Sequence, residues 1–548
     1  MNGDAKQDSA EASRYRTWSG LPLRQTYRPG DVAGVDYERD VGDAGKYPYT
    51  RGIHPDMYRG QFWTHREICG FGGPGDTNGR AKFLLAHGNT GLNIIFDQPH
   101  MMGIDPDHPR AKGCVGMMGV NAASLRDFEV LFDSIAIEQV NVSLINPTAS
   151  AIVTTAFYVA LAENRGLDVA RLKGSIQNDP LHCRYFGYAP SSPFELAVKS
   201  CVDIIEYCCR NMPRWYVATF NSHGWRETGI SAPQEIAFCF ARVLAYLREA
   251  LRRGLNIDDF GPRIGFYSSV HMDFFEEIAK LRAARRLWAR IAREQLGARD
   301  PRTMQFRFGI HTVANCLTPQ QPLINIARVA IQSLAAVLAG VQSLQACPYD
   351  EPICLPTEQS HRIALRTQQI VAHETGVTKV SDPLGGGYYL EALTDQMERE
   401  ILKIMDEIEA MGGMVAAMKS GWIETQMEKA AVEEQRRIET KEQLIVGLNE
   451  YITEDEAERQ IPIHRRPEGS EESQVASVQR VRAERDAESV AAALATLTEA
   501  QRRGENVLPA TIEAAKAYAT IGELMGAVRV GMDLSYDPMS EVVGAGRC

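Results

Sequence analysis

The chain has 548 residues, 44% of them hydrophobic, enough for a large core and more than one domain. A formal net charge of −11 with no long basic run argues against nucleic acid or an anionic membrane as partner. No apolar stretch reaches the ~18–20 residues of a membrane span, and MNGDAKQDSAEASRYR lacks the apolar core of a signal peptide, so a cytoplasmic location is expected. The 11 cysteines are scattered and form no CxxC, which predicts buried free thiols and no metal site.

Residues 1–44 are polar, rich in Gly and Asp, and predict an extended N-terminal arm. GKYPYTRGIHPDMYRGQFWTHREICGFG (Gly45–Gly72) mixes aromatics, arginines and turn residues without a period, as binding loops do. A regular rhythm then begins. Apolar runs at 91–97, 140–145, 172–178, 216–221, 263–269, 304–310, 340–346 and 377–382 predict eight strands, alternating with amphipathic helical stretches. Phe274–Gln295 is one such helix, and Leu323–Ala339 is apolar nearly all round, predicting burial on both sides. The pattern predicts a (β/α)8 barrel over 45–392. A charged helical region follows over 393–463, then a linker at 464–474 and a C-terminal helical segment over 475–548. Polar clusters at GSIQND (174–179), NMPRW (211–215) and NSHGWRETG (221–229) follow strands, where parallel barrels carry their chemistry. No P-loop, dinucleotide fingerprint, zinc-protease or nucleophile-elbow motif is present.

Several long motifs in order, YPYTRGIHPDMY, GSIQND, NMPRW, AKLRAARRLWA and TGVTKVSDPLGGGYYLE, resemble the catalytic chain of the methylmalonyl-CoA mutase family, from about Lys46 to Leu448. Its members are adenosylcobalamin-dependent acyl-CoA mutases. The resemblance implies an isomerase that moves a CO–SCoA group to the neighbouring carbon by radical chemistry, in a barrel threaded by the CoA ester. The family's cobalt-ligating DxHxxG motif is absent. That implies a large subunit served by a separate small cobalamin-binding subunit, with a heterotetramer as the expected assembly.

Position within the motifs implies roles. Arg66 and Arg263 match arginines near CoA, and Gln342 matches a glutamine on the pantetheine path. Gln177 matches a glutamine beside the reacting group. Glu351 matches the glutamate that holds the adenosyl ribose, and Glu227 one near the corrin. For each, a salt bridge or rim contact is the plainer alternative.

The departures concern the acyl group. The family's RQYAGF is REICGF here, which puts Ile68 in place of tyrosine. The arginine that clamps the methylmalonyl carboxylate aligns with Gly187. Breaking such a buried pair costs about 3–5 kcal/mol, so the same carboxylate is not expected there. SGYHMQEAG becomes NSHGWRETG, which gives Gly224 for the catalytic histidine and His223 for the preceding tyrosine. RTHSQT becomes RFGIHT, which gives Gly309 and His311. The expected reading has His223 take over the thioester and the glycines enlarge the pocket for a bulky aromatic or branched malonyl- or succinyl-type acyl-CoA, with Arg184 or Arg226 meeting a relocated carboxylate. A second is a short-chain mutase (isobutyryl-, 2-hydroxyisobutyryl-, ethylmalonyl- or methylmalonyl-CoA). A third is a non-catalytic paralogue that binds or scaffolds.

Overall fold

Ten short strands carry the framework among the residues that the computed structural model describes, 15–185, 192–453 and 461–541. They are β1 (Thr64–His65), β2 (Ile68–Cys69), β3 (Leu92–Ile95), β4 (Val142–Ile145), β5 (Gly174–Gln177), β6 (Trp215–Tyr216), β7 (Ala218–Asn221), β8 (Ile264–Val270), β9 (Phe308–Thr312) and β10 (Ser343–Gln345). The strand orders are β1-β10-β9-β8-β7 and β2-β3-β4-β5-β6. The pairs β2–β3, β3–β4, β4–β5, β5–β6, β8–β9 and β9–β10 are parallel. Helices follow strands along the chain, and the fold is of the (β/α)8 barrel class. The chain divides into two units.

The unit made of His65–Asn221, Tyr246–Gly265 and His464–Cys548 holds β2 to β6. Register aligns Ile68, Asn93, Ser143 and Ser175 on one level. Side chains alternate along a strand, so Cys69, Ile94, Leu144 and Ile176 face the other way, and all four are buried. One step along the first face stand Ile95, Ile145 and Gln177. Helix Ala151–Asn164 is apolar all round and is buried along almost its whole length, packed on helix Leu508–Lys516.

The other unit, Met1–Thr64, Ser222–Ala245 and Phe266–Ile463, is built on helix Phe274–Arg290, which carries the AKLRAARRLWA motif. Its charged residues are buried, which is stable only with partners. Lys280 Nζ meets Glu235 at 2.7 Å, the carbonyl of Ser269 at 2.8 Å, and Glu277. Arg282 pairs with Glu391 at 2.6 Å and with Asp382. Arg286 pairs with Asp395 at 2.7 Å and with Glu398. Arg285 donates to the carbonyls of Thr50 at 2.7 Å and Tyr49 at 3.0 Å. The described part of the arm lies on this unit: the Trp18 amide donates to Asp273 at 2.8 Å and its ring stands edge-on to His271.

Three expectations need correction. Residues 377–382 are not a strand. Gly376 and Asp382 adopt positive φ (76° and 47°), residues Val377–Lys379 form a 3-10 turn, and the Asp382 carboxylate is taken by Arg282 and Arg51. Two short strands not expected from the sequence, β1 and β2, flank Arg66 and Glu67, which interrupt the apolar pattern there. Leu323–Ala339 is not buried all round: its α-helix spans Asn325–Leu338, and Leu323 and Ile331 face solvent, 59% and 43% exposed.

Lys280→Ala removes the nearer cation from Glu235 and Glu277 and leaves them only Arg226, 3.9 and 3.3 Å away, so it should destabilise the protein by about 3 kcal/mol. Urea denaturation read by circular dichroism measures this, and a change below about 1 kcal/mol would refute the structural role.

Candidate active site

Ser222 follows β7 and opens a single helical turn, His223–Arg226, continued by Glu227. Two buried anchors hold this turn. The Ser222 hydroxyl donates to Glu235 at 2.9 Å. Arg226 is 4% exposed, lies 3.3 Å from Glu277 and donates to the carbonyl of Ile230. Arg226 is therefore structural and does not present a guanidinium to a substrate carboxylate, as had been expected. Arg184, in the other unit, lies over the ring of Phe194 at 4.1 Å and donates to the carbonyl of Ser192.

With its base held, the turn presents His223 and Glu227 on one face, four residues apart. His223 Nε2 is 3.6 Å from Glu227 Oε1. Both Glu227 oxygens accept backbone N–H groups, from Ala314 and Asn315, each at 2.8 Å. Burial nevertheless pushes the Glu227 carboxyl up to about 7, the amides only partly opposing it. His311, in β9, stacks on His223 with ring centroids 4.2 Å apart and planes at 34°. The His311 Nδ1–H donates to the carbonyl of Thr312 at 2.7 Å, and burial lowers its pKa to about 4, so the ring is neutral at pH 7. The Cys347 sulfur lies 3.5 Å from His311 Nδ1, and burial raises its thiol well above the ordinary range.

Beneath the two imidazoles lies Tyr267 of β8, edge-on to both at 6.0 and 6.3 Å. Its hydroxyl donates to Gln345 Oε1, on β10, at 2.6 Å. The ring thus reaches across β9, and it does so over Gly309. A Cβ at Gly309 would stand 3.1 Å from Tyr267 Cδ2. The room that Gly309 opens is therefore occupied by Tyr267. Glu351, beyond β10, makes no side-chain hydrogen bond among the described residues. Burial, then the charges of Asp350 and Glu227, push its carboxyl up to about 8. Gln342 is turned to the backbone, donating to the Gly340 carbonyl at 2.6 Å and accepting from the Phe308 amide at 3.0 Å.

Gly224 is buried in the 223–226 turn. In the second unit, Ile68 shares the level of Asn93 and Ser143, while Gln177 accepts from Asn221 at 3.3 Å. Arg66 donates to Asn141 at 2.5 Å. Arg263 spends its donors on the carbonyls of Cys208, Cys209, Met212 and Asp259, closing the end of helix Phe194–Asn211. Gly187 lies outside the described residues. Sequence reasoning missed Tyr267, Gln345 and Cys347. The strand period could have found the first two, since Tyr267 alternates with inward-packed Phe266 and Ser268, and Gln345 with Leu344.

A family model described as methylmalonyl-CoA mutase matches residues 16–533. The chain is 41% identical over 522 residues to the 2-hydroxyisobutanoyl-CoA mutase large subunit of Aquincola tertiaricarbonis, covering 95% of this chain and 92% of that one. It is 35% identical over 542 residues to methylmalonyl-CoA mutase of Escherichia coli (strain K12), covering 98% and 75%. It is 34% identical over 517 residues to the mitochondrial methylmalonyl-CoA mutase of Homo sapiens, covering 94% and 68%.

Gly309→Ala forces the Tyr267 ring to shift by a few tenths of an ångström, which should cost about 1–3 kcal/mol as overpacking. A thermal melt measures it, and an unchanged melting temperature would show that the ring gives way freely. Glu351 yields a prediction with a defined sign. Its folded pKa of about 8 lies above the carboxylate's ordinary value, so folding takes up a proton. The stability contributed by this group then falls as pH rises from about 4.5 to about 8. Glu351→Gln does not titrate, so its melting temperature relative to the parent should climb across that window, and a flat difference would refute the shift.

Proposed function

Because the chain belongs to the methylmalonyl-CoA mutase family of adenosylcobalamin-dependent isomerases, we propose that it is the large subunit of a mutase acting on a short branched acyl-CoA, hydroxylated or not. The observation that carries this reading is Tyr267 lying on Gly309, where it takes up the room that the glycine would otherwise leave. In the other unit, Ile68 shares its strand face with Ile95 and Ile145, side chains of a kind that suits a branched alkyl group, beside the polar Asn93 and Ser143. The similarity to a 2-hydroxyisobutanoyl-CoA mutase large subunit points the same way. A bulky aromatic acyl group, the reading drawn from the glycines, loses support at Gly309.

The residues present fit the cofactor. Glu351 is a half-buried carboxyl with no hydrogen-bond partner among the described residues, and its raised pKa keeps it a donor as well as an acceptor at pH 7. It would hold the adenosyl ribose, and Glu227 would face the corrin. Adenosylcobalamin, when bound, supplies the organic radical that starts the migration. A small cobalamin-binding subunit would complete the site, in a heterotetramer.

The chain's own work is positioning. His223 donates a hydrogen bond to the thioester carbonyl, and His311, neutral and stacked on it, holds the ring's plane. Gln177, fixed by Asn221, orients the acyl group. Arg66 lines the CoA path in this reading, whereas Arg263 and Gln342, whose polar groups are spent on the backbone, give it support and no hydrogen bond. A neutral, apolar surround protects a radical by excluding water.

The test is a turnover panel of isobutyryl-, 2-hydroxyisobutyryl-, ethylmalonyl-, methylmalonyl- and benzylmalonyl-type CoA esters, with adenosylcobalamin and the small subunit present. Short branched or hydroxylated esters should turn over at least ~100-fold better in kcat/KM than methylmalonyl-CoA, as expected from the lost carboxylate clamp. His223→Ala should lower kcat about 100-fold or more. Turnover of the benzyl ester alone would restore the large pocket, and binding without any turnover would favour a scaffold.

A further inference from the structure

His223, Glu227 and His311 each offer one ligand atom, and these atoms lie within 4.8 Å of one another. We propose that the three side chains form a binding site for a divalent transition-metal ion of the Zn2+ class, and that its occupancy shuts the catalytic pocket. Four observations support it.

First, the donor set of two imidazole nitrogens and one carboxylate selects Zn2+, Co2+ or Ni2+ over Mg2+ and Ca2+. Second, the side chains converge from two directions: His223 and Glu227 from one helical turn, His311 from β9. Ligand distances of ~2.0–2.1 Å place donor atoms ~3–3.5 Å apart. The His223 Nε2 to Glu227 Oε1 distance is already 3.6 Å, so small side-chain rotations close the site. Third, the outer supports are built. The His311 Nδ1–H is spent on the Thr312 carbonyl, leaving the Nε2 lone pair to bind, as metal-ligating histidines require. Glu227 is fixed through both oxygens by the amides of Ala314 and Asn315. Fourth, the side chains of His223 and Glu227 keep 15% and 19% exposure, so an ion can enter. Cys347 Sγ stands 3.8 Å from His311 Nε2, a soft donor within reach of the same ion.

The ion would occupy the imidazole that meets the thioester, so metal and acyl group exclude each other. That consequence rests on the proposed function, whereas the binding does not.

The experiment titrates Co2+ into the purified large subunit and follows its visible absorption, with Zn2+ displacement and calorimetry for affinity. Binding of ~1 ion per chain at micromolar concentration is expected. His311→Gln and Glu227→Gln should each weaken it more than ~10-fold, while Cys209→Ser, at a half-buried thiol elsewhere, should leave the spectrum unchanged. Circular dichroism of each variant establishes its folding. With the small subunit and adenosylcobalamin present, Zn2+ should abolish turnover of whichever ester the panel identifies, and a chelator should restore it. Absence of binding, or binding indifferent to both site variants, overturns the proposal. So does full turnover with the ion bound. A chain that turns over no ester would still report the site by its Co2+ spectrum.

Discussion

The Lys280–Glu235 contact is the interaction on which the site depends. Lys280 and Glu235 are both fully buried, and a buried pair of this kind is costly unless further groups satisfy it. They are satisfied here in an informative way. Glu235 accepts from the hydroxyls of Ser222, Ser268 and Ser269 as well as from Lys280. Lys280 returns a bond to the Ser269 carbonyl. One carboxylate therefore fixes the end of β8 and the residue that opens the 223–226 turn. The charge cluster below and the imidazole above belong to one hydrogen-bonded construction, so the conformation of His223 is set by residues that never touch a substrate.

Neutrality is the second organising feature. His311 is held uncharged by burial, and Glu227 and Glu351 are pushed towards their protonated forms for the same reason. A pocket of this composition offers hydrogen bonds without strong fields. That suits a reaction in which charge develops little and the danger is side reaction with solvent.

Much of this was legible in the sequence. The alternation of apolar runs and helical periods predicted the barrel class, and seven of the eight expected strand regions contain one. The failures have physical causes. β1 and β2 hide as a loop because the charged Arg66 and Glu67 stand between them; the Arg66 guanidinium donates to Asn141 and the Glu67 backbone N–H to Asn89. Residues 377–382 look like a strand because β-branched residues alternate there, but the left-handed backbone at Gly376 and Asp382 is invisible to hydropathy. Arg226 reads as an available cation because the buried partners that claim it lie on a distant helix. Gly309 reads as a void because nothing in the sequence says that Tyr267 crosses over it.

The substitutions that distinguish this chain belong together mechanically. On a helical turn, side chains four residues apart share a face, whereas a shift by one residue rotates a side chain by about 100°. A histidine at position 223 therefore faces Glu227, and one at 224 would not. Position 224 is then turned into the buried side of the turn, where glycine takes no space. An imidazole at 223 needs a surface to rest on, and His311 provides it by stacking. His311 and position 309 lie on the same face of β9, two residues apart, so a large side chain at 309 would crowd the aromatic floor on which both rings stand. Glycine there lets Tyr267 reach Gln345. Each change makes sense only with the others, which is what a rebuilt pocket requires and what piecemeal decay of a redundant site does not produce.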